Sequence, residues 1–246
     1  MPILPLRLPT RESPPAARRR AGKIVGVLRR RYPDPRVPLR HENAFQLLVA
    51  TILSAQCTDA MVNRVTPGLF ARYRTPRDFA AARVRDVEKI IRPTGFFRQK
   101  TKAIMRASRD LLERFDGEVP ATMEDLVSLG GVGRKTANVL LGGFFGLPGV
   151  VVDTHVRRLS RRLALTGWED PARIEQDLMR LVPRREWSDF SLRLIFFGRE
   201  VCTARSPRCP TCPLNRLCPS APYRGAPPWM VRRGRAQAAG RGAKRP

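Results

Sequence analysis

Lysine, histidine and acidic side chains are all scarce in this chain. Of its 246 residues, six are lysine (Lys23, Lys89, Lys100, Lys102, Lys135 and Lys244) and two are histidine, His41 and His155. Asp and Glu together number 21 against 47 Lys and Arg, a formal net charge of +26. That excess goes far beyond what solubility requires and marks a chain that attracts polyanions, nucleic acid first among them. No apolar run approaches the roughly 20 residues of a membrane span. Neither a lipidation motif nor a long basic amphipathic helix supports an acidic membrane surface as the partner. Residues 1–20 hold Pro and Arg but no sustained apolar core, so no secretory signal is visible and the expected location is the cytoplasm, on the nucleoid in a bacterium. Alternating strand patterns and internal repeats are also lacking, which leaves an all-α fold class.

What is present is mostly helical. With 42% hydrophobic residues the chain can bury a core, as one large domain or two small ones. A first helix is expected from near Arg19, with Ile24, Leu28 and Tyr32 on one face, ending at Pro33. Residues 43–55 read as a buried helix. Helices are expected over 63–73, 80–91, 102–115, 123–128, 134–144, 154–165, 172–181 and 187–197. The segment before residue 19 and the acid-free stretch after Pro219, with its many arginines, read as disordered basic tails.

Residues 129–138, LGGVGRKTAN, place a glycine turn before a helix N-terminus. Glycines allow positive φ and close approach of the backbone to a ligand, and free N–H groups with the helix dipole favour a phosphate. A turn of this kind also serves helix packing, so alone it decides nothing. Lys135 falls in the first turn of that helix. Arginine stays protonated and cannot act as an amine nucleophile, so a lysine in a motif stands out. A lysine nucleophile must be neutral, and a helix N-terminus, the neighbouring Arg134 and partial burial all favour that state. The simpler role for Lys135 is pairing with phosphate. Eighteen residues on, Asp153 follows the apolar run Val150, Val151 and Val152 at an N-cap position. An N-cap carboxylate can also face a reacting sugar, and both roles can hold at once.

Four of the five cysteines, Cys202, Cys209, Cys212 and Cys218, form C-x6-C-x2-C-x5-C within 17 residues. Such a cluster holds metal more readily than it forms disulfides in an intracellular chain, and spacing alone leaves zinc open. Cys57 stands apart and reads as a core thiol.

Taken together, LGGVGRKTANVLL and VVDTHVRRLSRR closely resemble the endonuclease III family of DNA glycosylases, of the helix–hairpin–helix superfamily. LLVATILSAQCTDAMVN, GFFRQKTKAI and GEVPATMEDLVSL extend the resemblance over roughly residues 20–219. The resemblance implies a two-lobed helix–hairpin–helix glycosylase fold with a C-terminal [4Fe–4S] cluster loop. It implies a helical bundle with the hairpin at 37–147 and a cluster domain of 19–36 plus 148–219, flanked by the segments 1–18 and 220–246 that composition marks as disordered. It implies a bifunctional glycosylase and AP lyase that removes oxidised pyrimidines from duplex DNA. Lys135 matches the family's Schiff-base nucleophile and Asp153 its essential carboxylate, a mechanism that needs no histidine base. Cys202, Cys209, Cys212 and Cys218 match the cluster ligands. Gln56 matches the residue that fills the space left by an extruded base, and Phe96 lies where the family has a leucine wedge. Gly131, Gly133 and Arg134 are expected to hold the DNA backbone, and Arg205 and Arg208, in the loop between the first two ligands, to meet phosphate. Gly130 replaces a family proline, which is expected to loosen the turn. Partners are double-stranded DNA with damaged bases or abasic sites, and no membrane; a monomer is expected. Adenine glycosylases of the same superfamily lack the lysine and carry a further domain, for which the 28 residues after Cys218 are too few. Two other readings predict different behaviour. A non-catalytic or monofunctional relative would not nick abasic DNA, and a zinc module would be colourless.

Overall fold

The computed structural model describes residues 12–221, and the basic tail from 222 onward lies outside them. Eleven α-helices account for the described architecture, and no strand occurs among the described residues. The all-α fold class holds.

The first helix, α1 (Pro14–Arg31), begins upstream of the expected start near Arg19, and this corrects the reading of 1–18 as wholly disordered. Pro14 and Pro15 occupy the first turn, where a missing N–H costs nothing. Ala17 and Ala21 are fully buried, so packing extends the helix backwards.

Contacts divide the chain into two compact units, one from the described part of Met1–Asp34 with Val152–Pro246, the other Pro35–Val151. The second unit holds α2 (Ala44–Leu53), α3 (Asp59–Arg72), α4 (Pro76–Ala81), α5 (Val84–Ile91), α6 (Phe97–Arg114), α7 (Met123–Ser128) and α8 (Arg134–Gly143). Its apolar cluster is centred on α2, where every residue from Leu47 to Leu53 is buried, with Val62, Leu69, Phe79, Ile104 and Leu140 around it. The single helix expected over 80–91 is two helices. Thr75 caps α4 through a reciprocal capping box with Asp78, and the chain turns extended at Ala82 before α5 begins. Thr58 likewise caps α3 and starts it at Asp59, ahead of the expected residue 63.

The other unit packs α1 with α9 (Thr154–Arg162), α10 (Pro171–Leu181) and α11 (Trp187–Glu200). Ile24, Leu28, Leu159, Leu178, Phe190 and Leu194 are completely buried there. Through this core runs Arg193, 2% exposed. It pairs with Glu186 at 2.7 Å and Asp189 at 2.9 Å, and donates to the Tyr32 carbonyl at 3.0 Å. The last bond ties α11 to the end of α1. No described helix is long and apolar enough to cross a membrane.

Candidate functional site

The hairpin is built by α7, a turn and α8. Val132 N–H bonds Leu129 O at 3.1 Å, closing a turn whose third residue, Gly131, has φ +84°. A type II turn requires positive φ there. A Cβ on Gly131 would lie 2.6 Å from the Ala103 Cβ and 3.2 Å from its Cα, because α6 runs directly beneath. Gly131→Ala should therefore combine left-handed strain with a backbone clash, costing ~1–3 kcal/mol in urea denaturation.

Gly130 was expected to loosen the turn, but its N–H donates to Asp110 Oδ2 at 2.6 Å, which proline could not do. A Cβ at Gly130 would also collide with the Arg106 side chain. A hydrogen bond to α6 thus tethers the turn. Gly133 is different: its φ of −101° is ordinary and a Cβ would meet nothing within 4 Å, so neither backbone nor packing calls for glycine there.

Gly133 caps α8 without a side chain, so no side-chain oxygen competes for the amides of the first turn. Lys135 is the second residue of α8 and is exposed, as is Arg134. Partial burial of Lys135, one of the three influences expected to favour a neutral amine, is not observed. One turn further, Asn138 is buried and donates to Val150 O at 3.0 Å, fixing the segment that leads to Asp153. The sequence singled out no role for Asn138.

Asp153 is half-buried and caps α9, its Oδ1 accepting from Val156 N–H at 2.8 Å. One carboxylate oxygen is thereby engaged by the helix. Next to it, His155 Nδ1 lies 3.1 Å from Arg158 Nη2, so the ring accepts rather than donates at that atom. Burial lowers the His155 pKa below 6.5; Asp153 opposes the shift, and Arg158 and Arg199 reinforce it. A depressed base is protonated first in the unfolded chain. Its contribution to stability is therefore lost as pH falls through about 6.5 and levels off below the folded value. His155→Gln should flatten that part of a stability–pH profile measured by urea denaturation.

Gln56 and Phe96 both lie in the second unit on exposed backbone in the left-handed region, with φ of 50° and 48°. Phe96 is 58% exposed, an unusual state for a large apolar ring. Arg205 and Arg208 are exposed in the loop between the first two cysteines of the cluster.

Cys202, Cys209, Cys212 and Cys218 line one pocket together with Leu159, Phe197 and Leu214. Four thiols lining one apolar pocket are a donor set suited to a thiolate-ligated metal group. Burial, and then the neighbouring thiols, push the Cys209 and Cys212 thiols up, Cys212 after partial relief by the Leu214 backbone; Cys218 is driven to about 11, chiefly by burial. Such thiols become thiolates only when a cation sits among them. Arg162 places Nη1 at 3.3 Å from Cys202 Sγ and 2.8 Å from Thr203 O, and Arg158 donates to Cys202 O at 3.0 Å. These α9 guanidiniums answer the negative charge of a thiolate-ligated cluster. The sequence reading missed them, although their i, i+4 spacing puts both on one helix face.

Comparison with known proteins bears on both regions. Residues 49–184 match the HhH-GPD superfamily of base excision DNA repair proteins, and residues 202–218 match the iron–sulfur binding domain of endonuclease III. Endonuclease III of Synechocystis sp. is 53% identical over 83% of this chain and 94% of its own. The chain belongs to the endonuclease III family. The Bacillus subtilis endonuclease III is 48% identical over 76% of this chain and 86% of its own. Among solved structures, a trapped covalent intermediate of an endonuclease III with DNA is 44% identical, covers 84% of this chain and 98% of that one, and superposes with a TM-score of 0.80. As a member of that family the chain is a base-excision repair enzyme, a DNA glycosylase with AP lyase activity, and its cofactor is a [4Fe–4S] cluster.

Proposed function

We propose that this enzyme acts as a monomer in the cytoplasm on double-stranded DNA, excising oxidised pyrimidines and cleaving the abasic sites that result. The observation that carries this reading is Lys135, exposed in the first turn of α8 directly after the glycine turn. There an amine can reach a sugar whose flanking phosphate rests on the α8 N-terminus. The Lys135 Nζ attacks C1′ and the glycosidic C–N bond breaks. The base leaves with the bonding pair and takes up a proton. Opening of the sugar ring leaves an iminium between Nζ and C1′. Loss of the C2′ proton then expels the 3′ phosphate, and water releases the enzyme. Asp153 stabilises the developing sugar cation and shuttles the proton.

Gly131, Gly133 and Arg134 hold the phosphate backbone, and Arg205 and Arg208 extend that grip. Gln56 and Phe96 fill the stack when the damaged base is extruded. Cys202, Cys209, Cys212 and Cys218 would hold the cluster, which when bound supplies the positive charge that keeps these thiols ionised and the loop folded. Cys212→Ala should abolish the yellow-brown absorbance and open the 203–208 loop to limited proteolysis, with a salt-dependent loss of DNA affinity.

The proposal is tested on duplexes carrying thymine glycol, an intact thymine or an abasic site. Release of the oxidised base, with strand cleavage at both lesions and none at thymine, is the expected result. Cleavage of abasic DNA without release of thymine glycol would overturn the substrate assignment.

A further inference from the structure

Like Asp116 after α6, Gln56 after α2 and Phe96 before α6 are non-glycine residues of the second unit held in left-handed backbone, each at a loop tip. That conformation is unfavourable for side-chain-bearing residues, and it persists only where surrounding structure imposes it. Lys100 lies behind both loops. Its side chain is buried, with 4% of the residue exposed. The ammonium lies 2.8 Å from Leu53 O and 2.7 Å from Thr94 O. Leu53 ends α2 three residues before Gln56, and Thr94 precedes Phe96 by two. The Lys100 N–H also donates to Phe96 O at 3.1 Å. One residue therefore contacts the base of each loop and the tip of one.

A buried ammonium is a costly core group. Burial here lowers the Lys100 pKa, with Cys57 partly opposing the shift. A methionine of similar length would fill the same space without that cost. What it could not do is bind two carbonyls from different loops at once. We infer that Lys100 is a positioning residue, its ammonium splinting the Gln56 and Phe96 loops at the spacing with which their side chains enter the DNA stack. The inference rests on the reading of Gln56 and Phe96 as the residues that fill that stack.

The test uses full-length, cluster-bearing enzyme with Lys100→Met, and Lys100→Gln as a variant that still donates. Single-turnover rates are compared on a thymine glycol duplex, which requires extrusion, and on a single-stranded abasic oligonucleotide, which does not. Lys100→Met should slow the duplex reaction by roughly 10- to 100-fold, the scale of an ångström-level misplacement, with less than about 2-fold change on the single strand. Lys100→Gln should fall between it and wild type. In a Gln56→Ala/Phe96→Ala background Lys100→Met should add almost nothing, since the splinted side chains are gone. Equal losses on both substrates, or a full additional loss in that background, would overturn the proposal. So would failure of both Lys100 variants to retain the cluster absorbance, which marks a residue the whole fold needs. If Gln56→Ala/Phe96→Ala itself leaves the duplex rate unchanged, the stack-filling reading fails, whatever Lys100 does.

Discussion

In the Lys135→Gln enzyme, the borohydride-trapped adduct with a thymine glycol duplex or an abasic duplex falls to background, and strand cleavage drops by on the order of 10⁴-fold or more, as when a covalent nucleophile is deleted. The size of the effect follows from the chemistry: reduction traps only an iminium, and an iminium needs a primary amine at C1′. No neighbouring residue replaces it easily, because arginine is too weak a nucleophile and lysines are few. The substitution is also a clean one. Lys135 is exposed and makes no contribution to the core, and glutamine is a good helix former, so melting temperature and cluster absorbance should match wild type. Duplex binding should weaken only slightly, by the loss of one cation near the phosphates. A surviving adduct in this variant would move the nucleophile elsewhere and reduce Lys135 to a phosphate contact. Loss of the adduct with an intact fold would separate the two roles that the sequence left open.

The hairpin, the lysine, the aspartate and the four cysteines were legible because each is a local pattern: glycines that a turn requires, a residue at a helix start, ligands at fixed spacing. Most helices were legible for the same reason, their apolar residues recurring on one face. Errors fell at helix starts, where a side chain decides. Thr58 and the Thr75–Asp78 pair begin α3 and α4 earlier than apolar periodicity alone indicates. Pro14 and Pro15 look like disorder in composition but serve as a first turn once Ala17 and Ala21 are buried. The buried and half-buried polar groups were not legible. Lys100, Arg193, Asn138, Arg158 and Arg162 look like any other polar residue on a helix, in a chain crowded with arginine. Their partners are carbonyls, carboxylates and a thiol brought near by folding, for Arg193 from more than a hundred residues away, at the Tyr32 carbonyl. Gly130 shows the same limit in reverse. It reads as a loosened turn until Asp110 of α6 supplies the tether.

Asp153 offers the sharpest separation of structural from chemical roles, since the two make opposite predictions for one substitution. As an N-cap, its Oδ1 accepts from Val156 N–H at 2.8 Å. Asparagine caps as well as aspartate through the same oxygen, whereas alanine loses the cap at a cost of ~1 kcal/mol. As a catalytic carboxylate, its negative charge is what matters, and asparagine has none. Asp153→Asn should therefore keep the wild-type urea midpoint to within a few tenths of a kcal/mol while slowing base release by roughly 10²- to 10⁴-fold, the range expected for loss of a positioned acid–base group. Asp153→Ala should show the same catalytic loss together with the lower midpoint. If asparagine retained full activity, capping would be the whole role of the residue and the proton shuttle would have to be sought elsewhere. Because α9 also carries the arginines that face the Cys202 loop, the alanine variant should further weaken retention of the cluster, and its visible absorbance on dilution should decay faster than that of the asparagine variant. Catalysis without charge and stability without a cap would thus be read from the same pair of proteins, in two independent measurements.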